Sequence, residues 1–141
     1  MNRPNGYGQY KQVQINTASP GKLILLLYQG AIKSLKKSLD LMDRKDFGGK
    51  GDAIIKAQDI LMELNMVLDH GAGEIAHSLQ QIYLYAYKRL VVANLEMDRD
   101  AISEIVEILE NLYEAWEEAV QKTEGIVPVP EPRVTSMSVT G

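Results

Sequence analysis

EIAHSLQQIYLYAYKRLVVANLE, residues 74–96, is the stretch that decides the fold. Ile75, Leu79, Ile82, Ala86 and Leu90 recur every three or four positions, the spacing of one helix face. A slightly rotated face, Ile75, Ala76, Leu79, Tyr83, Ala86 and Leu90, fits the same period. Tyr85, Tyr87, Val91 and Val92 lie on or near its flanks, and no Gly or Pro interrupts it. The pattern predicts the central helix of a bundle, with neighbours on more than one side. The inner face through Ile75 and Ile82 is expected to be core. The apolar surplus around Tyr83, Tyr87 and Val91 is left over for something else.

Three more helical segments flank this one. Thr17-Ala18-Ser19-Pro20 is a helix start, with Ser19 (or Thr17) as N-cap and Pro20 suited to the first helical position. From there Ile24, Leu27, Ala31, Leu35, Leu39 and Met42 form a core stripe reaching about Arg44, with Tyr28 beside it. Asp46-Phe47-Gly48-Gly49-Lys50-Gly51 reads as a break, a flexible link or a left-handed helix end, with Asp52 capping the next helix. Ile54, Ala57, Leu61, Leu64 and Leu68 make the second stripe, which is expected to stop near Asp69. His70-Gly71-Ala72-Gly73 is a short turn, so the helices it joins are antiparallel neighbours. The last helix carries Ile102, Ile105, Leu109, Leu112, Trp116 and Ala119 on its seam, with Asp100 as its expected cap. Glu104, Glu107, Glu110, Glu114, Glu117 and Glu118 form its solvated back.

These segments predict an all-α, antiparallel up-down-up-down four-helix bundle. Residues 1–16 form a flexible N-terminal arm, 17–124 the bundle, and 125–141 an extended or disordered, Pro-containing tail. Tyr7, Tyr10, Val13 and Ile15 give the arm apolar points that either pad the bundle end or lie in a displaceable groove.

The bulk composition excludes several classes. The 141 residues suit one domain, and 45% of them are hydrophobic, enough for a core. No run approaches the roughly 18 apolar residues of a membrane span, so no stable membrane insertion is expected, nor does the N-terminus resemble a signal peptide. Cysteine is absent, which removes disulfides and thiolate metal sites. The net charge of −4 is unevenly spread. Residues 1–60 hold ten Lys/Arg against five Asp/Glu, whereas 96–124 hold ten Asp/Glu against two basic residues. Lys33, Lys36, Lys37, Arg44 and Lys45 form a small basic set, but no base-reading motif accompanies them, and no nucleic-acid partner is expected.

Motifs for chemistry are incomplete. Pro20-Gly21-Lys22 ends like a phosphate-binding loop, but Asn16 stands where that loop needs Gly and Leu23 where it needs Ser or Thr. Glu74-Ile75-Ala76-His77 is a single Glu-x-x-His, and a di-metal bundle needs two such motifs plus two inward carboxylates. Asp46-Phe47-Gly48 lacks every other kinase element. No catalytic residue, cofactor or metal is expected. The tyrosines point to protein binding instead, since tyrosine supplies contact area and tolerates a partly hydrated hydroxyl.

INTASPGKLILLLYQGAI at 15–32 and GEIAHSLQQIYLYAYKRLVVAN at 73–94, in this order with the tyrosine-bearing arm and acidic last helix, resemble the flagellin export chaperone family FliS. The resemblance covers residues 7–122. It implies a small cytosolic four-helix bundle that binds the disordered C-terminal segment of flagellin and prevents premature polymerisation. The loaded chaperone then docks at an export-gate component of the flagellar type III secretion apparatus. By this resemblance Tyr7 and Tyr10 match arm tyrosines that cover part of the flagellin site. Ala18, Pro20, Leu23, Leu27, Tyr28 and Gly30 match the first-helix signature, and Ile82, Tyr83, Tyr87, Leu90 and Asn94 the third. The flagellin-binding set implied is Tyr7, Tyr10, Leu23, Leu27, Tyr28, Ile82, Tyr83, Tyr87, Leu90 and Asn94. Ala86 departs from the family, which often has Met there. The competing readings are a helical adaptor for another partner and a metal-dependent bundle enzyme.

Overall fold

The structure, a computed structural model, describes residues 19–126, with side chains described through Thr123. The expected arm and most of the expected tail, with Tyr7, Tyr10 and Ala18, lie outside the described residues. Among the described residues there are four α-helices: α1 Pro20–Asp43, α2 Phe47–Val67, α3 Glu74–Glu96 and α4 Arg99–Ile126. A 3-10 turn, His70–Ala72, joins α2 to α3. The described chain divides into two compact units, residues 27–113 and residues 19–26 with 114–126.

Residues 27–113 contain parts of all four helices and form a four-helix bundle. Side-chain bonds fix its arrangement. Gln29 Nε2 donates to Tyr113 Oη (2.7 Å), Lys36 pairs with Glu110 (2.8 Å), and Arg99 pairs with Asp43 (2.9 Å). Numbers rising along α1 meet numbers falling along α4, so these helices are antiparallel. Lys50 reaches Asn94 and Gln58 reaches Tyr87, which sets α2 antiparallel to α3 in the same way. A Cβ on Gly30 would lie 3.3 Å from Ile60 Cδ1, so α1 and α2 touch closely. Arg89 and Tyr85 both meet Glu104, joining α3 to α4.

The core is built from layers. Leu27, Tyr28, Ala31 and Leu35 of α1 face Ile54, Ala57, Leu61 and Leu64 of α2, with Ile102, Ile105 and Leu109 from α4. Each large side chain fully buried contributes roughly 1.5–3 kcal/mol of gross stabilisation. On α3 the buried face is Ala76, Leu79, Tyr83, Ala86, Leu90 and Ala93. This is the rotated face. Ile75 is 75% exposed, because it lies in the first turn of α3, beyond the layer closed by Ala76 and Leu79. Ile82 is half-buried, displaced from the centre by Tyr83. Tyr83 is therefore core rather than surplus.

Three helix ends depart from the sequence reading. The glycines at 48, 49 and 51 lie inside α2, which starts at Phe47 and is capped by Asp46 rather than Asp52. The left-handed residue between α1 and α2 is Lys45 (φ 64°). There Asp46 N–H donates to Leu41 C=O (2.9 Å) and Lys45 N–H to Met42 C=O (3.0 Å), a Schellman ending. At α4 the cap is Asp98, whose carboxylate accepts from Ala101 N–H (3.1 Å), not Asp100.

In the smaller unit, Ser19 caps α1 by accepting from Lys22 N–H (3.2 Å). Leu23 and Val120 are buried there, Trp116 is half-buried, and Ala119 is exposed, so the expected seam of α4 thins towards its end. α4 itself runs through Gly125 to Ile126, past the expected boundary at 124.

Candidate protein-binding groove

Two hydrogen bonds define the seam between α2 and α3. Gln58 Nε2 donates to the Tyr87 carbonyl (3.2 Å), and Lys50 Nζ donates to Asn94 Oδ1 (2.6 Å). Of the neighbours of Gln58 one turn away, Ile54 and Leu61 are buried while Ile55 and Met62 are exposed. Around Tyr87, Tyr83 and Leu90 are buried while Leu84 and Val91 are exposed. Residues three and four apart share a helix face. The exposed pairs therefore line the outer side of the same seam.

Each stripe continues by a further turn. On α2 it runs Ile55, Met62, Met66, and on α3 Leu84, Val91, Leu95. Both use the same spacing, seven and then four residues, which keeps each stripe straight along its helix. Met66 is 70% and Leu95 79% exposed. The register brings Ile55 level with Val91 and Met62 level with Leu84. The result is an apolar groove whose two walls face each other over about 10 Å, at 1.5 Å per residue, with Met66 and Leu95 extending it at opposite ends. Polar Asp59 and Lys88 are exposed beside it. Neither stripe is demanded by the core.

The site residues implied by the sequence fall into three groups. Leu27, Tyr28, Tyr83 and Leu90 are core side chains of residues 27–113, and Leu23 is buried in the smaller unit. None offers free surface in this state, since packing partners already cover them. Tyr28 and Tyr83 meet each other, with hydroxyls 2.6 Å apart and rings tilted by 55°. Tyr87 and Asn94 are half-buried on the α2–α3 seam, at the floor of the groove, and Ile82 is half-buried on α3. Sequence reasoning missed Ile55, Met62, Met66, Leu84 and Leu95. Their signal was a second stripe at helical period on the flank of each core stripe.

Other features are less suited to a partner's apolar side chains. Tyr85 Oη donates to Glu104 (2.5 Å) and Arg89 Nε donates to its other oxygen (2.8 Å). These two bonds hold the Glu104 carboxyl below the usual range, the Tyr85 bond most strongly, and the bond to Glu104 raises Tyr85 in turn. An open depression of about 390 Å³ between α1 and α4 is lined by Gln29, Ile32, Lys33, Lys36, Glu110 and Tyr113, and side-chain bonds already span it. Of the basic set, Lys36 is paired with Glu110 and Arg44 with Asp40. Among the described residues no cluster of three His, Asp or Glu side chains is placed to hold a metal ion, and Glu74 and His77 are exposed. No helix among them is long and apolar enough to cross a membrane.

The family model described as "Flagellar protein FliS" matches residues 3–123. The chain belongs to the FliS family. This is a family of chaperones, not of enzymes. A Bacillus subtilis protein named flagellar secretion chaperone FliS is 36% identical over 117 residues, covering 83% of this chain and 87% of that one. A Salmonella typhimurium protein of the same name is 36% identical over 128 residues, covering 86% and 95%. One from Campylobacter jejuni is 33% identical over 113 residues, covering 79% and 88%. The FliS match thus spans all four helices, including both walls of the groove.

Proposed function

We propose that this FliS-family chain is a flagellar export chaperone. It holds the disordered C-terminal segment of flagellin in the cytosol, prevents its premature polymerisation, and delivers it to the flagellar type III secretion apparatus. The observation that carries the binding reading is the pair of matched apolar stripes on α2 and α3. They offer a straight, ready-made surface on which a partner segment can fold as a helix with anchors one turn apart. Contiguous exposed apolar surface of this kind marks an interaction site. Tyr87 and Asn94 add polar contacts on its floor.

The energetics suit a chaperone that must release its guest. Burying apolar surface contributes roughly 25 cal/mol per Å² gross. Ordering a disordered guest removes about 2–5 kcal/mol or more of that gain. The groove therefore binds without chemistry and without nucleotide. Calorimetry with full-length flagellin and with flagellin lacking its C-terminal segment tests the reading. Binding to the first and none to the second is expected. Equal affinity for both overturns it. Met62→Glu and Leu84→Glu, each placing a charge on one wall, are expected to abolish binding while leaving helicity intact.

A further inference from the structure

Lys50 is 3% exposed, yet it sits one turn into α2, where the sequence suggested only a glycine-rich link. Its Nζ donates to both oxygens of one residue, the Asn94 carbonyl (2.9 Å) and Asn94 Oδ1 (2.6 Å). The first bond satisfies a last-turn carbonyl of α3, which has no intrahelical donor. A cation there also complements the negative end of the helix dipole. The second bond has a different consequence. A lysine ammonium has donors and no acceptor, so the side-chain atom facing it must be the amide oxygen. The orientation of the Asn94 amide is thereby fixed. Its NH₂ group is turned away from Lys50 and has no acceptor among the described residues. A Cβ on Gly51 would stand 3.7 Å from Oδ1 and 3.9 Å from Nδ2, so the amide lies in contact range of the α2 backbone at this glycine.

We propose that Lys50 is a positioning residue for the groove: it aims the Asn94 amide N–H pair at a main-chain carbonyl of the bound segment. This rests on the groove being the docking surface. The recognised chemistry is a backbone carbonyl exposed where the guest is extended or at a helix C-terminus. Asn94 lies between the last anchors of α3, Val91 and Leu95. A carbonyl received there would fix the guest's register against the apolar stripes, which carry little register information themselves. Asn94 supplies direction, and Lys50 supplies the preorganisation that avoids rotamer loss on binding.

The test measures affinity of the full chain for the flagellin C-terminal segment by calorimetry, with thermal melting of each variant. Asn94→Asp keeps the Lys50 bond and removes the donors, and Asn94→Leu removes the donors without adding charge. Both are expected to weaken binding about three- to tenfold, the loss of one hydrogen bond. For Asn94→Asp the melting temperature is expected to be unchanged or raised. Lys50→Met is expected to weaken binding to a similar extent, with some loss of melting temperature. A purely structural Lys50 would lower the melting temperature and leave the affinity of the folded protein unchanged, which overturns the proposal. Asn94→Asp and Asn94→Leu both binding within twofold of wild type, while Met62→Glu does not bind, also overturns it and leaves the groove standing. Undiminished binding by Met62→Glu and Leu84→Glu would remove the groove and this proposal together.

Discussion

Tyr28 on α1 and Tyr83 on α3, 55 positions apart in sequence, place their hydroxyls 2.6 Å from each other inside the bundle. The rings stand 6.4 Å apart at 55°, so they contribute apolar contact as well as the bond. α1 and α3 are diagonal helices of the bundle, and this bond spans the core between them. A buried, satisfied polar pair constrains the register of two helices in a way that leucine packing does not. Tyr83→Phe is expected to lower unfolding stability by about 1 kcal/mol, and Tyr28→Phe by a similar amount. The double variant is expected to lose less than the two single losses combined, because both remove the same bond. Urea denaturation of the four proteins measures the coupling. Strict additivity would show that the hydroxyls do not act as a pair.

The start of α2 allows a second prediction. Asp46 accepts from Gly49 N–H (3.0 Å), and a Cβ on Gly49 would stand 2.8 Å from the Asp46 carboxylate. A Cβ on Gly48 would meet nothing within 4 Å. Glycine inside a helix costs about 1 kcal/mol relative to alanine. Gly48→Ala is therefore expected to raise stability by about that amount. Gly49→Ala gains the same propensity but displaces the cap, which contributes about 1 kcal/mol. The two variants are expected to differ by about 1 kcal/mol, with Gly48→Ala the more stable. In an Asp46→Ala background that difference should vanish, as chemical denaturation would show.

These glycines also show where the sequence was legible and where it was not. The apolar periods located all four helices, with the start of α2 the poorest, because core burial imposes the period directly. They did not separate two faces of α3 that differ by a small rotation. That choice was made by Tyr28, whose hydroxyl draws Tyr83 inward and leaves Ile82 at the edge. Glycine spacing suggested a link at 48–51, yet the Asp46 cap and the buried Lys50 anchor keep this segment helical. Lys45 supplied the left-handed turn that a glycine was expected to provide. For the site, residues from the family signature proved to be mainly core, since the same positions that define the bundle are the most restricted. The groove stripes were hidden because period alone does not say which of two apolar faces on one helix is buried.

Acid sensitivity follows from the paired carboxylates. Arg99 donates to both oxygens of Asp43 (3.0 and 2.9 Å), and Tyr85 and Arg89 donate to Glu104. Each carboxyl is held below its ordinary value, 3.8 for Asp43 and 4.5 for Glu104, chiefly by these hydrogen bonds. A carboxyl depressed in the folded state binds its proton more readily when unfolded. Its contribution is complete above the ordinary values and is lost as the pH falls through them towards the lower folded values. Melting temperature is thus expected to fall below about pH 4.5, and to fall less steeply in Glu104→Gln and Asp43→Asn. Tyr85→Phe removes the larger influence on Glu104, brings its folded value back towards the ordinary one, and is expected to make the acid limb shallower. An unchanged limb in all three variants would place the acid sensitivity elsewhere.

The two left-handed helix ends support a last prediction. Lys45 (φ 64°) closes α1 and Met97 (φ 55°) closes α3, and neither is glycine. The left-handed region brings Cβ against the following carbonyl and costs a side-chain-bearing residue roughly 1–2 kcal/mol. Glycine avoids this strain but loses more backbone entropy on folding, roughly 0.5–1 kcal/mol. Lys45→Gly is therefore expected to raise stability by up to about 1 kcal/mol, the difference between these opposing effects. Lys45→Ala, which keeps the Cβ, should leave stability nearly unchanged and so separates backbone strain from loss of the lysine charge. Met97→Gly is expected to gain less, because it also removes an apolar side chain beside the α3 terminus. Neither Lys45 variant touches the α2–α3 groove, so flagellin-segment affinity should match wild type. A stabilised Lys45→Gly protein with weakened binding would mean that the α1–α2 connection takes part in recognition.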